Sequence, residues 1–173
     1  VWGYYDGNTI AALERVTDHR ASLRKGEPRQ RHWTIRAGKV VLATGAFERP
    51  LVFPGNDRPG VMLASAAERF AGEYGILPGE KVAIFTNNDG AYRSAMTMRE
   101  AGCHIVAIVD VRTNISPAAR ALAVRTGAEI LTARAVTGTE GGKKLHCIKV
   151  QDYDIRSGSV SGDARSIDAD CLL

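Results

Sequence analysis

Short apolar runs alternate with segments of helical periodicity through the middle of the chain. Each run is rich in β-branched residues and predicts a buried strand: Lys81–Phe85, His104–Val109 and Glu129–Thr132. Between them, apolar residues recur at helical spacing and predict two helices: Ala91–Glu100 and Ala118–Thr126, ended by Gly102 and Gly127. This order predicts an α/β fold, a Rossmann-like three-layer domain with a parallel sheet. Because such crossovers are right-handed, we expect the strands to be adjacent, in the order third, first, second or its continuation.

Alternation with a period of two on both sides of this region predicts flanking antiparallel β-hairpin segments. The strands predicted before it are Val1–Tyr5, Thr9–Val16, His32–Ile35 and Val40–Ala43, with a turn at Asp6–Asn8. Those predicted after it are Ala135–Glu140 and Leu145–Tyr153. Arg156–Arg165 is rich in Ser and Gly and predicts a loop, and Ile167–Leu173 predicts a returning strand. Val1 lies in a strand pattern and Leu173 in an apolar run, which predicts an internal piece of a longer polypeptide.

Two further patterns predict helix starts. Ser65 is followed three residues later by Glu68, the spacing of a capping box, and Gly75 is placed to end that helix. Ser116 precedes Pro117, which predicts an N-cap followed by proline at the first helical position.

The turn after the first of the three central strands is the main candidate for a ligand site. In nucleotide-binding βαβ units this turn reads G-x-G-x-x-G, and its second glycine lets the backbone approach a pyrophosphate. Here Thr86 and Asn88 stand in place of the first two glycines and Ala91 in place of the third. An acid at the end of the second strand has the position of the ribose-binding acid. The candidate cofactor-binding residues here are Thr86, Asn87, Asn88, Asp89, Gly90 and Asp110.

The same residues argue against tight nucleotide binding. Asn88 adds a side chain where glycine would admit the pyrophosphate, and Asp89 adds a negative charge that we expect at the mouth of the site. We expect the turn to hold its own side-chain hydrogen bonds instead. Free NAD is then expected to bind this chain with a millimolar dissociation constant or weaker, about −4 kcal/mol.

Composition is that of an ordinary globular protein: 173 residues, 45% of them hydrophobic, with no run long enough to cross a membrane. The three cysteines, Cys103, Cys147 and Cys171, form no C-x-x-C, so neither a metal site nor a redox dithiol is indicated. Unpaired thiols are typical of a cytoplasmic protein, and we predict that localisation.

The net charge of +4 comes largely from a basic run between Arg20 and Arg36, opposed only by Glu27. Such a run is typical of a solvated loop. Trp33 is its only aromatic residue, so stacking platforms for nucleic acid are missing and we predict no nucleic-acid partner. Contact with an acidic partner subunit is an alternative reading of the same run.

The segment between the two regions resembles a known family. It reads Ala43-Thr44-Gly45, then Arg49-Pro50, Pro54-Gly55 and Gly60-Val61. This is similar to the A-T-G segment of the glutathione-reductase-like flavoproteins, which links a flavin domain to a nicotinamide-nucleotide domain. The resemblance implies that Thr44 and Gly45 lie near the dinucleotide of the flavin domain.

Three longer stretches narrow the resemblance to one family. GYYDGNTIAALERVTDH, ATGAFERPLVFPGNDRPGVM and VAIFTNNDGAYRSA resemble the alpha subunits of heterotetrameric sarcosine oxidases. The resemblance implies a flavin-dependent amine oxidoreductase that demethylates sarcosine oxidatively. It also implies FAD, FMN and NAD in the parent complex and the other sarcosine oxidase subunits as partners. For this chain alone we predict no bound cofactor and no catalytic residue, because the residues matched carry none.

The resemblance also implies a division of the chain into three parts. Residues 1–60 are expected to be part of a flavin-domain-like β-meander with the A-T-G crossover. Residues 61–133 are expected to form the Rossmann-like domain of nicotinamide-nucleotide type, and residues 134–173 a β-hairpin and a return strand.

Two other functions fit the same pattern. One is an NAD(P)H-dependent flavoprotein reductase domain, against which stand the lost glycines and the missing C-x-x-C. The other is a structural insert domain that forms subunit contacts.

Overall fold

Residues 1–173 are all described by the structure, a computed structural model with three helices and ten strands. None of the helices is long and apolar enough to cross a membrane. The strands are β1 (Gly3–Tyr5), β2 (Thr9–Arg15), β3 (Gln30–Arg36), β4 (Lys81–Thr86), β5 (His104–Asp110), β6 (Glu129–Thr132), β7 (Arg134–Glu140), β8 (Cys147–Asp154), β9 (Ser159–Asp168) and β10 (Cys171–Leu172). The helices are α1 (Ala64–Tyr74), α2 (Gly90–Ala101) and α3 (Pro117–Thr126). Val1–Ala46 and Phe47–Leu173 form separate units.

The second unit is built on a parallel sheet with the strand order β10-β4-β5-β6. The predicted parallel arrangement of the three central strands is confirmed. The predicted order is wrong, because β6 pairs with β5 and β10 takes the place beside β4. The helices explain the outcome. α2 packs against both α1 and α3, so the two crossovers lie on one face, and successive right-handed steps on one face carry the chain steadily outwards.

Two buried clusters make this unit three-layered, as the fold class requires. Alternate residues of β4 point to opposite faces of the sheet. Val82 and Ile84 pack with the helices, beside Tyr92 and Met98 of α2. Ala83 belongs to the cluster on the other face. That cluster includes residues of a second, antiparallel sheet, namely Val136, Ile148 and Val150.

The antiparallel sheet has the order β7-β8-β9 and confirms the predicted hairpin after residue 134. The predicted loop over Arg156–Arg165 is wrong, since β9 begins at Ser159. Pairing with β8 outweighs the poor strand propensity of this Ser- and Gly-rich segment. Arg165 then reaches β6, where its guanidinium donates two hydrogen bonds of 2.7 Å to the Glu129 carboxylate. The predicted return strand is divided, because β9 extends to Asp168 and only Cys171–Leu172 joins the parallel sheet.

The first unit contains the antiparallel meander β1-β2-β3. Its first turn is confirmed at Asp6–Asn8, where Gly7 and Asn8 have φ of 67° and 54°. The strand predicted over Val40–Ala43 is wrong. Val41 and Leu42 are 88% and 69% exposed, because no neighbouring strand offers this apolar segment a ladder of hydrogen bonds.

The helix ends follow the sequence at every position except the start of α1. Gly75, Gly102 and Gly127 are left-handed C-caps, and the Ser116 hydroxyl accepts a hydrogen bond from Ala119 N at 3.1 Å. The capping box predicted at Ser65 is wrong, because α1 begins at Ala64. Glu48, sixteen residues earlier, caps the helix instead.

Glu48 accepts hydrogen bonds from Ala64 N at 3.1 Å and from Ser65 N at 2.8 Å. These donors have no partner inside the helix, and a negative charge there also meets the positive end of the helix dipole. Glu48→Ala is therefore expected to lower the free energy of unfolding by about 1 kcal/mol. Urea denaturation measures the loss, with Glu100→Ala, which removes an exposed glutamate in the last turn of α2, as the control. An unchanged unfolding midpoint for Glu48→Ala would contradict the cap.

All three cysteines are unpaired and buried. Burial raises the pKa of the Cys171 thiol to about 12 and also raises that of Cys103. Because the thiolate is the reactive form, we expect Ellman's reagent at about pH 8 to leave both thiols unmodified until the chain unfolds. Counting thiols before and after addition of urea tests this. Rapid reaction at Cys171 in the folded chain would mean that the thiol is accessible.

Candidate functional site

A cleft of about 980 Å³ opens at the carboxyl end of β4. Its walls come from the segment Phe47–Phe53, the start of α1, the turn and first two turns of α2, and Leu172–Leu173. The chain leaves β4 towards β5 on one side, while β10 lies on the other. Crevices at such a reversal of strand order are where open α/β sheets bind their ligands.

The Thr86–Gly90 turn closes on itself through side-chain hydrogen bonds, as expected. Asn88 N donates to Thr86 Oγ1 at 3.1 Å, and Thr86 Oγ1 donates to Asn88 O at 3.1 Å. Gly90 N donates to Asn88 Oδ1 at 2.8 Å, and Asn88 Nδ2 donates to Asn87 Oδ1 at 3.1 Å. The Asn88 side chain thus occupies the concavity that a glycine at this position would leave open, and two backbone N–H groups of the turn are already bonded.

Asp110 is fully buried at the end of β5, paired in register with Thr86. Its carboxylate accepts from Tyr92 Oη at 2.9 Å and from the backbone N of Arg112 at 2.9 Å. The Arg112 guanidinium donates two more hydrogen bonds, through Nε at 3.0 Å and Nη2 at 2.7 Å. Burial and the hydrogen bond to Asp110 raise the pKa of Tyr92, so the phenol remains a proton donor. Both oxygens of the carboxylate that was predicted to bind a ribose therefore accept hydrogen bonds from protein groups.

Arg112 also binds Asp89, whose Oδ1 lies 2.8 Å from Nη1. The pKa of Asp89 is lowered, chiefly by a hydrogen bond to Ser116 and next by Arg112. The expectation that this carboxylate stands at the mouth of the site is wrong. Asp89 is absent from the cleft lining, because Arg112 and Ser116 draw it to the other side of the turn. One arginine thus joins the turn to the end of β5.

The cleft brings together one polar stripe that the sequence analysis missed. Gly90, Arg93, Ser94 and Thr97 of α2 all line it, at the spacing of one helix face. The sequence could have located this stripe through the apolar face of the helix. Tyr92, Ala95 and Met98 are buried, so residues next to them in sequence lie on a different face.

The remaining lining is mostly apolar and poor in groups that do chemistry. It contains no Cys, His, Lys or Asp. Its acids are Glu48, which caps α1, and Glu68. This composition suits the holding of a ligand.

Thr44 and Gly45 lie in the first unit, separate from the residues of this cleft. Both are exposed in a segment without regular structure, and Gly45 has φ of 70°. The binding roles predicted for Thr44, Gly45, the Thr86–Gly90 turn and Asp110 stay predictions.

Curated sequences similar to this chain share one description. The alpha subunit of sarcosine oxidase from Rhizobium meliloti (strain 1021) is 45% identical over 163 residues, which is 94% of this chain and 16% of that subunit. Those from Corynebacterium sp. strains P-1 and U-96 are 39% and 41% identical over 99% of this chain and 18% of each subunit. The chain therefore spans less than a fifth of the length of these relatives. No family model matches it.

Solved structures with the same fold are flavoprotein oxidoreductases. Thioredoxin reductase of T. acidophilum has a TM-score of 0.61 at 17% identity, covering 81% of this chain and 44% of that one. A FAD-dependent pyridine nucleotide-disulphide oxidoreductase from Desulfovibrio vulgaris has a TM-score of 0.55 at 20% identity, covering 87% and 37%. At these identities the likeness establishes the fold alone.

The sequence matches extend across both units of the chain. Along nearly its whole length the chain is therefore similar to sarcosine oxidase alpha subunits, and it corresponds to 16–18% of the length of those subunits.

Proposed function

We propose that this chain supplies the nicotinamide-nucleotide-type domain of a flavin-dependent amine oxidase that demethylates sarcosine oxidatively in its whole complex. In this proposal residues 61–133 form that domain, residues 1–60 belong to the flavin-domain meander and crossover, and residues 134–173 supply the hairpin and return strand. The chain contributes no catalytic residue. FAD, FMN and NAD belong to the whole complex, whose other subunits are the partners, in the cytoplasm.

The observation that carries the proposal is the cleft at the carboxyl end of β4. It has the position of a dinucleotide site and a volume of about 980 Å³, within the range of cofactor pockets. The similarity to sarcosine oxidase alpha subunits supports the assignment to that complex. A lining without Cys, His, Lys or Asp supports a binding role in place of a catalytic one.

In this proposal NAD would bind in the cleft. The closed Thr86–Gly90 turn determines the affinity that we expect. Because Asn88 fills the concavity and two turn N–H groups are bonded, we expect a millimolar dissociation constant or weaker, about −4 kcal/mol. A titration with NAD followed by ¹H–¹⁵N NMR measures this range, and the shifts should concentrate at residues lining the cleft. Sarcosine added to the chain should yield no peroxide.

The same titration separates the proposal from its two rivals. Micromolar affinity with hydride transfer from NADH to added flavin would overturn it in favour of a reductase domain. A complete absence of shifts at about 20 mM NAD, roughly twenty times a constant of 1 mM, would favour a structural insert over a nucleotide-binding domain. Adding adenosine as the control ligand separates a nucleotide site from general crowding effects.

A further inference from the structure

The segment Phe47–Val52, here called the strap, forms one wall of the cleft and is held in place by one side chain. All of it except Val52 lines the cleft. Phe47 and Val52 are nevertheless 100% and 90% exposed, and the segment has no regular structure. Its hydrogen bonds are the two that the Glu48 carboxylate accepts from the first turn of α1. The position of this wall therefore depends on Glu48.

Phe53 anchors the far end of the strap. Its side chain is buried and packs against Phe85, with ring centroids 5.9 Å apart. Pro50 restricts the backbone of Arg49 to extended conformations, so the strap is short and stiff. Release of Glu48 would consequently swing the strap about Phe53 and open the wall of the cleft.

The helix that Glu48 caps begins at a residue poorly suited to start it. Leu63 holds the N-cap position, and its side chain makes no capping hydrogen bond. Its carbonyl accepts from Ala66 N and Ala67 N at 3.0 and 3.1 Å, and Glu48 bonds the two N–H groups that precede them. The helix thus begins at Ala64 because the strap supplies the cap.

A second cap is present in the same turn and is unused. Ser65 and Glu68 have the spacing of a capping box, in which the hydroxyl accepts from Glu68 N and the carboxylate from Ser65 N. In this structure neither side chain bonds another group of the protein, and both line the cleft. Serine is among the best N-caps and leucine among the poorest. A local preference that opposes the global fold in this way lowers the free-energy gap to a competing state.

We propose that the strap is a gate of the cleft, which Glu48 holds closed. In the closed state Glu48 caps α1, which begins at Ala64. In the open state Glu48 is released, Ser65 and Glu68 cap the helix, and the helix begins two residues later. The closed state predominates because opening breaks both hydrogen bonds to the Leu63 carbonyl and removes the buried Ala64 from the helix. The gate goes beyond the proposed function and is independent of which ligand the cleft binds.

The test places a reporter on the strap of the full chain. Leu51→Cys introduces a half-buried thiol, whereas the three native thiols are buried. The rate at which this thiol reacts with Ellman's reagent measures the open population under native conditions. Adding Glu48→Ala is expected to speed the reaction about fivefold, the effect of losing one helix cap. Glu100→Ala, which removes an exposed glutamate of α2, is the matched control and should leave the rate unchanged.

Ser65→Ala distinguishes a gate from a merely structural cap. With Glu48 in place, loss of the hydroxyl is expected to slow the reaction of Leu51→Cys about fivefold, because it removes the cap of the open state alone. Ser65→Thr keeps a hydroxyl and should restore the rate.

The exchange of caps also predicts coupled stabilities. Ser65→Ala alone should change the unfolding equilibrium constant by less than about twofold, since its hydroxyl is unbonded in the closed state. In the Glu48→Ala background the same change should raise that constant about fivefold. Urea denaturation of the two single variants and the double variant measures the coupling.

Unchanged reactivity of Leu51→Cys on adding Ser65→Ala, together with additive stabilities, would overturn the exchange of caps and with it the gate. Unchanged reactivity on adding Glu48→Ala would show that Glu48 does not hold the strap, and would overturn the inference as well. Both results would leave the nucleotide titration of the proposed function unaffected.

Discussion

Replacing Arg112 by methionine is expected to lower the free energy of unfolding by about 3 kcal/mol, because it leaves the buried Asp110 carboxylate uncompensated. Asp110 is fully buried, and Arg112 donates two side-chain hydrogen bonds to it. This is the lower end of the range for breaking a buried ion pair, because the Arg112 side chain is 26% exposed and water can reach the site. Urea denaturation of both proteins measures the difference.

Two further variants separate the ion pair from the loss of a side chain. Arg99→Met removes an exposed arginine that forms no ion pair and should change stability by less than about 0.5 kcal/mol. Asp110→Asn placed in the Arg112→Met background should recover part of the loss, because the buried charge is removed. Equal destabilisation by Arg112→Met and Arg99→Met would contradict the buried pair.

Gly60→Ala is expected to cost about 3 kcal/mol of stability, the second large effect. Gly60 has φ of 106°, a conformation that alanine rarely adopts. A Cβ there would lie 2.7 Å from Asp170 O and 2.9 Å from Leu145 Cβ. Both neighbours are fixed by hydrogen bonds, since Leu145 N donates to Pro59 O and Asp170 N to Lys81 O.

Gly72→Ala is the matched control, because Gly72 lies inside α1 with nothing within 4 Å of its added Cβ. It should raise stability by about 1 kcal/mol through helix propensity alone. Chemical denaturation of the two variants side by side gives effects of opposite sign. A neutral Gly60→Ala would mean that the backbone around Asp170 shifts freely.

The sequence pattern correctly predicted those helices, strands and turns that are determined by residues within the segment itself. The central strands, α2, α3 and the turn at Asp6–Asn8 were readable because periodicity and caps lie within the segment itself. The errors concern partners distant in sequence. Ser159–Asp168 becomes a strand because β8 pairs with it, and α1 takes its cap from Glu48 instead of Ser65.

The site divides in the same way. The closed turn was predictable, since Thr86 and Asn88 bond within five residues. The position of Asp89 was not, because it depends on Arg112, 23 residues later. The polar face of α2 was readable from its periodicity, but the cleft it lines is completed by Phe47–Phe53 and Leu172–Leu173, which are distant in sequence.

Strand β10 pairs with β4 but is synthesised much later, which affects how the domain folds on the ribosome. Cys171 and Leu172 pair with Val82 and Ala83, and the Asp170 carboxylate accepts from Lys81 N at 2.9 Å, across 89 residues of sequence. A ribosome adding about 5–20 residues per second needs on the order of ten seconds to make that span. During this time β4 has an unpaired edge, which is open to pairing with another nascent chain. The edge of β4 is thus protected only once β10 has emerged.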